Sequence, residues 1–156
     1  MRSLILKNIF YTILQPGLVC IGIPWMILGN PLELISKIYG YFLVGGSAFI
    51  VSGVSILFYS IYLFATLGQG TLSPLEPTKN LVFYGFYKYS RNPMYVGVIL
   101  ILLGECLLFQ NLTLLNYSLA VFILFNLFII FVEEPRLHRD FGESYLNYCK
   151  KVRRWL

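Results

Sequence analysis

Residues 38 to 67 form a run of thirty amino acids without a formal charge, and no other feature limits the possible folds so strongly. As an α-helix rising 1.5 Å per residue, the run reaches ~45 Å, more than the ~30 Å hydrocarbon layer of a bilayer. Such a helix must tilt or protrude. Gly45, Gly46, Ala48, Ser52 and Gly53 put small side chains along it, a pattern that lets membrane helices approach closely, so it is expected to be the central packing helix. The chain as a whole is 58% hydrophobic and 12% charged, a balance that burial in a soluble domain does not explain. These observations imply an integral membrane protein.

Three further apolar runs complete an all-α bundle of about four spans, expected as one membrane domain over residues 1–156, with two spans in 1–67 and a core in 68–156. The first span covers residues 9 to 28, where Pro16, Gly17, Gly22 and Pro24 predict a kinked, peripheral helix whose freed carbonyls need neighbouring donors. Arg2 and Lys7 precede it without the small residues of a cleavage site, so it is expected to be retained. The third span opens on Asn92, a preferred N-cap, followed by Pro93 at the first helical position, and continues to Phe109. Gln110-Asn111 then turns the chain into a fourth span over residues 112 to 132, making a helical hairpin.

Two polar segments interrupt this pattern. A loop of about two dozen residues follows Gly68 and carries Lys79, Tyr84, Tyr87, Lys88, Tyr89 and Arg91; loops this long between helices are usually functional. After Val132 comes a polar tail in which Leu137, Phe141, Tyr145, Tyr148, Val152 and Trp155 recur at steps of three and four. That spacing predicts amphipathic surface helices lying on the bilayer, with a break at Gly142. Four spans bring the N-terminus, the loop and the tail to one side, which then holds eleven of the twelve Lys and Arg residues, with Lys37 alone opposite. The positive-inside rule makes that side cytoplasmic, with both termini and the active site on it. Because the basic residues flank apolar runs, they indicate a membrane partner and no nucleic acid. Cys20, Cys106 and Cys149 are too far apart for a metal knuckle and His138 has no companions, so no metal is expected. Glu105, the one charge inside a span, lies about a turn from the far end, within reach of water.

Where loop and helix meet, Arg91 and the free N–H groups at Asn92 suit an anionic group. Tyr84, Tyr87, Tyr89 and Tyr95 concentrate aromatic faces that attract sulfonium or ammonium groups and also anchor at interfaces. Glu133 and Glu134 close the fourth span about 100° apart around the helix, so at most one is expected to face a site. The other would cap the tail helix or pair with Arg136 or Arg139.

Taken together, Gly85-Phe86-Tyr87, Ser90-Arg91-Asn92-Pro93-Met94-Tyr95-Val96-Gly97, Glu133-Glu134-Pro135-Arg136-Leu137, Phe141-Gly142-Glu143-Ser144-Tyr145 and Tyr148-Cys149-Lys150-Lys151-Val152-Arg153 resemble the isoprenylcysteine carboxyl methyltransferase and phospholipid methyltransferase superfamily of membrane enzymes. The resemblance covers residues 68 to 156. It implies an S-adenosylmethionine-dependent methyltransferase whose cofactor contacts Leu81, Val82, Gly85, Tyr87, Asn92, Tyr95 and Glu133, with Glu133 or Glu134 taking the cofactor's amine. By the same resemblance Arg153 would orient an acidic substrate group, for which Arg91 beside the helix start is a second binding candidate; Arg153 and Glu134 are the catalytic candidates, Glu134 for an amine acceptor that must first be neutral. The family often has histidine at position 92; asparagine holds a ligand but shuttles no proton. The implied acceptor is a lipid-like or small hydrophobic molecule entering from the bilayer: an isoprenylcysteine-type carboxylate, a phospholipid amine or a small thiol. Two other readings are an NADPH-dependent membrane reductase, for which the N-terminal part offers little room, and a non-catalytic membrane scaffold.

Overall fold

Two antiparallel apolar helices in backbone contact form the axis of the molecule. The computed structural model describes residues 15–30, 40–69 and 80–156; Arg2, Lys7, Lys37, Lys79, the start of the first span and part of the long loop lie outside them. Helix α1 covers Gln15–Leu28, α2 Gly40–Thr66, α3 Pro93–Phe109, α4 Leu112–Phe128 and α5 Glu134–Lys151. No strand occurs among the described residues, and the fold is all-α. Helix α2 and the continuous helix running from Leu112 are long and apolar enough to cross a bilayer, and α1 and α3 are shorter apolar helices. Large apolar side chains such as Val44, Val51, Phe58, Leu119 and Ile123 point outward, as a lipid solvent requires. This is an integral membrane protein.

Helices α2 and α3 meet glycine to glycine at two levels. A Cβ on Gly53 would stand 2.6 Å from the Gly97 carbonyl oxygen, and one on Gly46 would stand 2.8 Å from that of Gly104. Only hydrogen fits at these points. Of the small residues expected at the packing face, Gly46 and Gly53 occupy it, whereas Gly45 has open space beside it and Ala48 and Ser52 are exposed. Leu57, Ile61, Val98, Ile101 and Leu102 extend the contact into a core that also takes Cys20 from α1 and Val121 from α4.

Two prolines inside helices are accommodated in the same way. Leu18–Gly22 forms a π-helical turn two residues before Pro24, and Ile129–Glu133 forms another two residues before Pro135. A wide turn eases the clash between the proline ring and the preceding turn, and it frees carbonyls that would have met the missing N–H. The Val19 carbonyl accepts from the Tyr117 hydroxyl at 2.9 Å, which fastens α1 to α4. The expected end of the fourth span at Val132 is therefore not an end: helix continues through Glu133, Glu134 and Pro135.

The real break is at Gly142, where φ is 49°. Beyond this kink Tyr145 and Tyr148 are buried rather than lying on a free surface. The tail is thus only in part the expected bilayer-surface element, because its tyrosines find partners in the loop. Past Val152 the chain is extended, and Arg153 pairs with Ser90 in a single parallel bridge. At the opposite end of the bundle, Asn111 caps α4 by accepting from the Thr113 and Leu114 amides at 2.8 and 3.1 Å. Asn111→Ala is expected to cost about 1 kcal/mol, read as a lowered unfolding midpoint in detergent.

Candidate functional site

A cavity of about 730 Å³ lies between α1, α2, α4 and the join of loop, α3 and α5. One part of its wall is apolar, with Leu57, Phe64, Leu124 and Phe128, and the other is polar, with Arg91, Asn92, Tyr95, Glu133, Glu134 and Arg136. Leu81, Val82 and Tyr87 border it from the loop.

Gly85 stands apart from the cavity. Its φ of 59° and the 2.6 Å at which a Cβ would meet Tyr59 and Leu63 show that it lets the loop close onto α2. Next to it, Tyr87 is buried with its hydroxyl 3.5 Å from the Ser60 carbonyl, while its own carbonyl accepts from Tyr148 at 2.6 Å. Burial, reinforced by Tyr148 and Glu133, pushes the Tyr87 phenol well above its ordinary range. It stays neutral and acts as a wall. Tyr84 and Tyr89 are exposed.

Asn92 occupies the N-cap position of α3, but its side chain caps nothing. Its Nδ2 donates instead to the Arg154 carbonyl at 2.9 Å. Pro93 already removes one of the helix's orphan N–H groups, which lowers the demand for a cap. Ser90 serves the same junction, accepting from the Asn92 amide at 3.1 Å and donating to the Arg154 carbonyl at 3.3 Å.

Both glutamates border the cavity, contrary to the expectation that at most one faces it. They diverge as their angular separation requires and meet different partners. The Tyr95 hydroxyl donates to Glu133 at 2.9 Å, and its ring packs on Phe125. Glu134 is gripped by Arg154 through two bonds of 2.9 Å and by Arg91 at 3.2 Å. Neither Arg136 nor Arg139 takes it; Arg139 pairs with Asp140. The bidentate bond to Glu134 raises the Arg154 guanidinium above its already high range, keeping it charged. Arg91 also donates to the Tyr145 hydroxyl at 3.2 Å and to the Cys149 sulfur at 2.7 Å, yet its buried Nε–H has no partner. Cys149 is thus a hydrogen-bonded member of this cluster, while Cys20 is buried in the core.

Arg153 offers the cavity no side chain. Its carbonyl accepts from the Arg91 amide at 2.9 Å, and its guanidinium is exposed. The arginine that bonds Glu134 at the cavity's edge is its neighbour Arg154, whose register follows from the extended backbone at Val152, since successive side chains alternate in an extended chain. Trp155 closes the same segment on α4, its Nε1 donating to Asn126 at 2.9 Å. An asparagine amid the apolar residues of the fourth span was the visible signal for that contact. Glu105 does not border the cavity; one of its carboxylate oxygens is buried without a partner.

Chemically, the arrangement offers a carboxylate, buried guanidinium N–H donors and aromatic faces in one part of a cavity and a hydrocarbon-like wall in the other. Cavities of roughly 300–1,000 Å³ hold cofactor-sized molecules.

A family model described as phospholipid methyltransferase matches residues 41–144. Protein-S-isoprenylcysteine O-methyltransferase of Schizosaccharomyces pombe is 41% identical over 73 residues, which are 46% of this chain and 30% of that protein. The chain therefore spans less than a third of that curated relative. An uncharacterized protein of Haemophilus influenzae is 44% identical over 64 residues, 40% of this chain and the whole of the relative. No solved structure matches the chain. Because the matched region runs from the start of α2 past Gly142 and covers two thirds of the sequence, this chain belongs to the phospholipid methyltransferase family.

Proposed function

We propose that the protein transfers a methyl group from S-adenosylmethionine to a lipophilic acceptor at the cytoplasmic edge of the membrane. The observation that carries this reading is a single cavity walled partly by the two polar motifs and partly by apolar residues of α2 and α4. A water-soluble donor and a membrane-soluble acceptor can share such a space. Family membership supports the reaction class, and the excess of Lys and Arg on the loop and tail side supports the cytoplasmic placement.

The residues present suit this cofactor. Glu133 is the carboxylate available for its amine, because Glu134 is committed to two arginines. Tyr87 and Tyr95 supply aromatic faces beside the cavity for a sulfonium. When bound, S-adenosylmethionine supplies an electrophilic methyl group for in-line displacement. The chain's own work is to align the acceptor, exclude water and hold charge. Arg91, rather than the outward Arg153, is placed to meet an acidic acceptor group. Glu134 acts through Arg91 and Arg154 as a positioning group. A carboxylate held between two guanidinium groups is a poor base, and Tyr95 already donates to Glu133. These facts favour an acceptor that is nucleophilic without losing a proton, such as an isoprenylcysteine-type carboxylate or a thiolate, over a protonated phospholipid amine.

Titration of the purified protein is expected to show saturable binding of S-adenosylmethionine and none of NADPH. Asn92→Ala, Tyr95→Ala and Glu133→Ala should each weaken binding, Glu133→Ala by about tenfold or more, as loss of a charged hydrogen bond implies. A wild type that binds neither molecule, or three variants that bind S-adenosylmethionine as the wild type does, would refute the assignment. Labelled-methyl incorporation into a lipid extract then identifies the acceptor.

A further inference from the structure

Arg136 has no assignment in the reading above, and its setting is unusual for a cation. It borders the cavity, its Nε–H is buried without an acceptor, and among the described residues it has no ion-pair partner. Arg91 and Arg154 each have a carboxylate partner in Glu134, and Arg139 has one in Asp140, whereas Arg136 has none among the described residues. A buried guanidinium N–H without an acceptor carries a desolvation cost that an anion at that point relieves.

Its nearest acidic neighbour defines what kind of anion fits. Glu133 lies three residues earlier in the same continuous helix, a spacing that puts both side chains on one face. The two groups interact electrostatically but do not bond; Glu133 is bonded to Tyr95 instead. A carboxylate and a guanidinium presented side by side to a cavity, each with capacity left, complement a ligand group bearing an ammonium and a carboxylate on one carbon.

We infer that Glu133 and Arg136 form a subsite for an α-amino-acid group, with Arg136 taking its carboxylate. This rests on the S-adenosylmethionine reading, since that cofactor carries such a group. Arg136 is then a cofactor-binding residue separate from the Arg91 cluster, which is left for the acceptor.

The test is calorimetric binding of S-adenosylmethionine and of decarboxylated S-adenosylmethionine to the wild type, Arg136→Met and Arg136→Lys. The wild type is expected to bind the decarboxylated analogue about 10- to 100-fold more weakly, the range set by one charged hydrogen bond. Arg136→Met should lose the same factor for S-adenosylmethionine and almost nothing for the analogue, so that it no longer distinguishes the two. Arg136→Lys should recover part of the difference. If the wild type binds both ligands equally, or if Arg136→Met weakens both alike, the subsite is overturned while the cofactor reading stands. If the wild type binds neither, the cofactor reading falls and takes the subsite with it.

Discussion

Gly97→Ala is expected to lower stability by about 3 kcal/mol, although alanine is the better helix former by about 1 kcal/mol. The added methyl would sit 2.8 Å from the Gly53 carbonyl oxygen and 2.9 Å from the Leu57 amide nitrogen and Cβ. Two of these are backbone atoms of a packed helix and cannot move aside like the end of a side chain. Separating α2 from α3 by even a fraction of an ångström also disturbs the layer of Leu57, Val98 and Ile101. Gly45→Ala is the matched control, because a Cβ there meets nothing within 4 Å. It should leave stability unchanged or slightly improved. Unfolding followed by circular dichroism in detergent decides the matter: equal midpoints for the two variants would rule out the glycine contact.

Arg154→Ala has the second largest expected effect, and it should appear in both stability and binding. Removing this side chain leaves Glu134 to Arg91 alone and detaches the strap whose carbonyl holds Asn92 and Ser90. Losing one partner of a fully buried pair costs roughly 3–5 kcal/mol, but the Arg154 side chain is 34% exposed, so about 1–2 kcal/mol is expected. With Glu134 free to rotate, Arg91 shifts and the polar part of the cavity loses its shape. Binding of S-adenosylmethionine should weaken by about tenfold, because Asn92 and Tyr95 sit on the turn of α3 that the strap holds. Arg154→Lys keeps the charge without the two-pronged geometry and should fall between. Arg153→Ala, one residue away, should change little. Equal behaviour of Arg153→Ala and Arg154→Ala would remove the strap from consideration.

Much of this architecture was legible in the sequence because its causes are local. Uncharged runs mark spans wherever they occur, Gln110-Asn111 makes a turn from its own chemistry, and Gly142 breaks a helix where a positive φ is needed. The motif residues Asn92, Tyr95, Glu133 and Glu134 could be selected by type and spacing, and they do border one cavity. Their partners could not be selected in this way. Asn92 reads as a cap and instead holds a carbonyl sixty-two residues later. Glu134 reads as the partner of a nearby arginine and instead meets Arg91 and Arg154.

Where the helices run, that they enter a membrane, and which two polar segments meet could be read from the residues alone; hydropathy, proline and glycine act on the chain within a few residues of themselves. Folding in three dimensions selected Gly46 and Gly53, rather than Gly45, for the helix contact, set Arg154 rather than Arg153 against Glu134, and placed Arg136 at the cavity without an ion-pair partner among the described residues. Each of those outcomes depends on rotation about a helix axis or on the register of an extended segment. A change of one residue turns a side chain by about 100° in the first case and to the opposite face in the second. That choice is made by the packing of distant segments, which no local pattern contains.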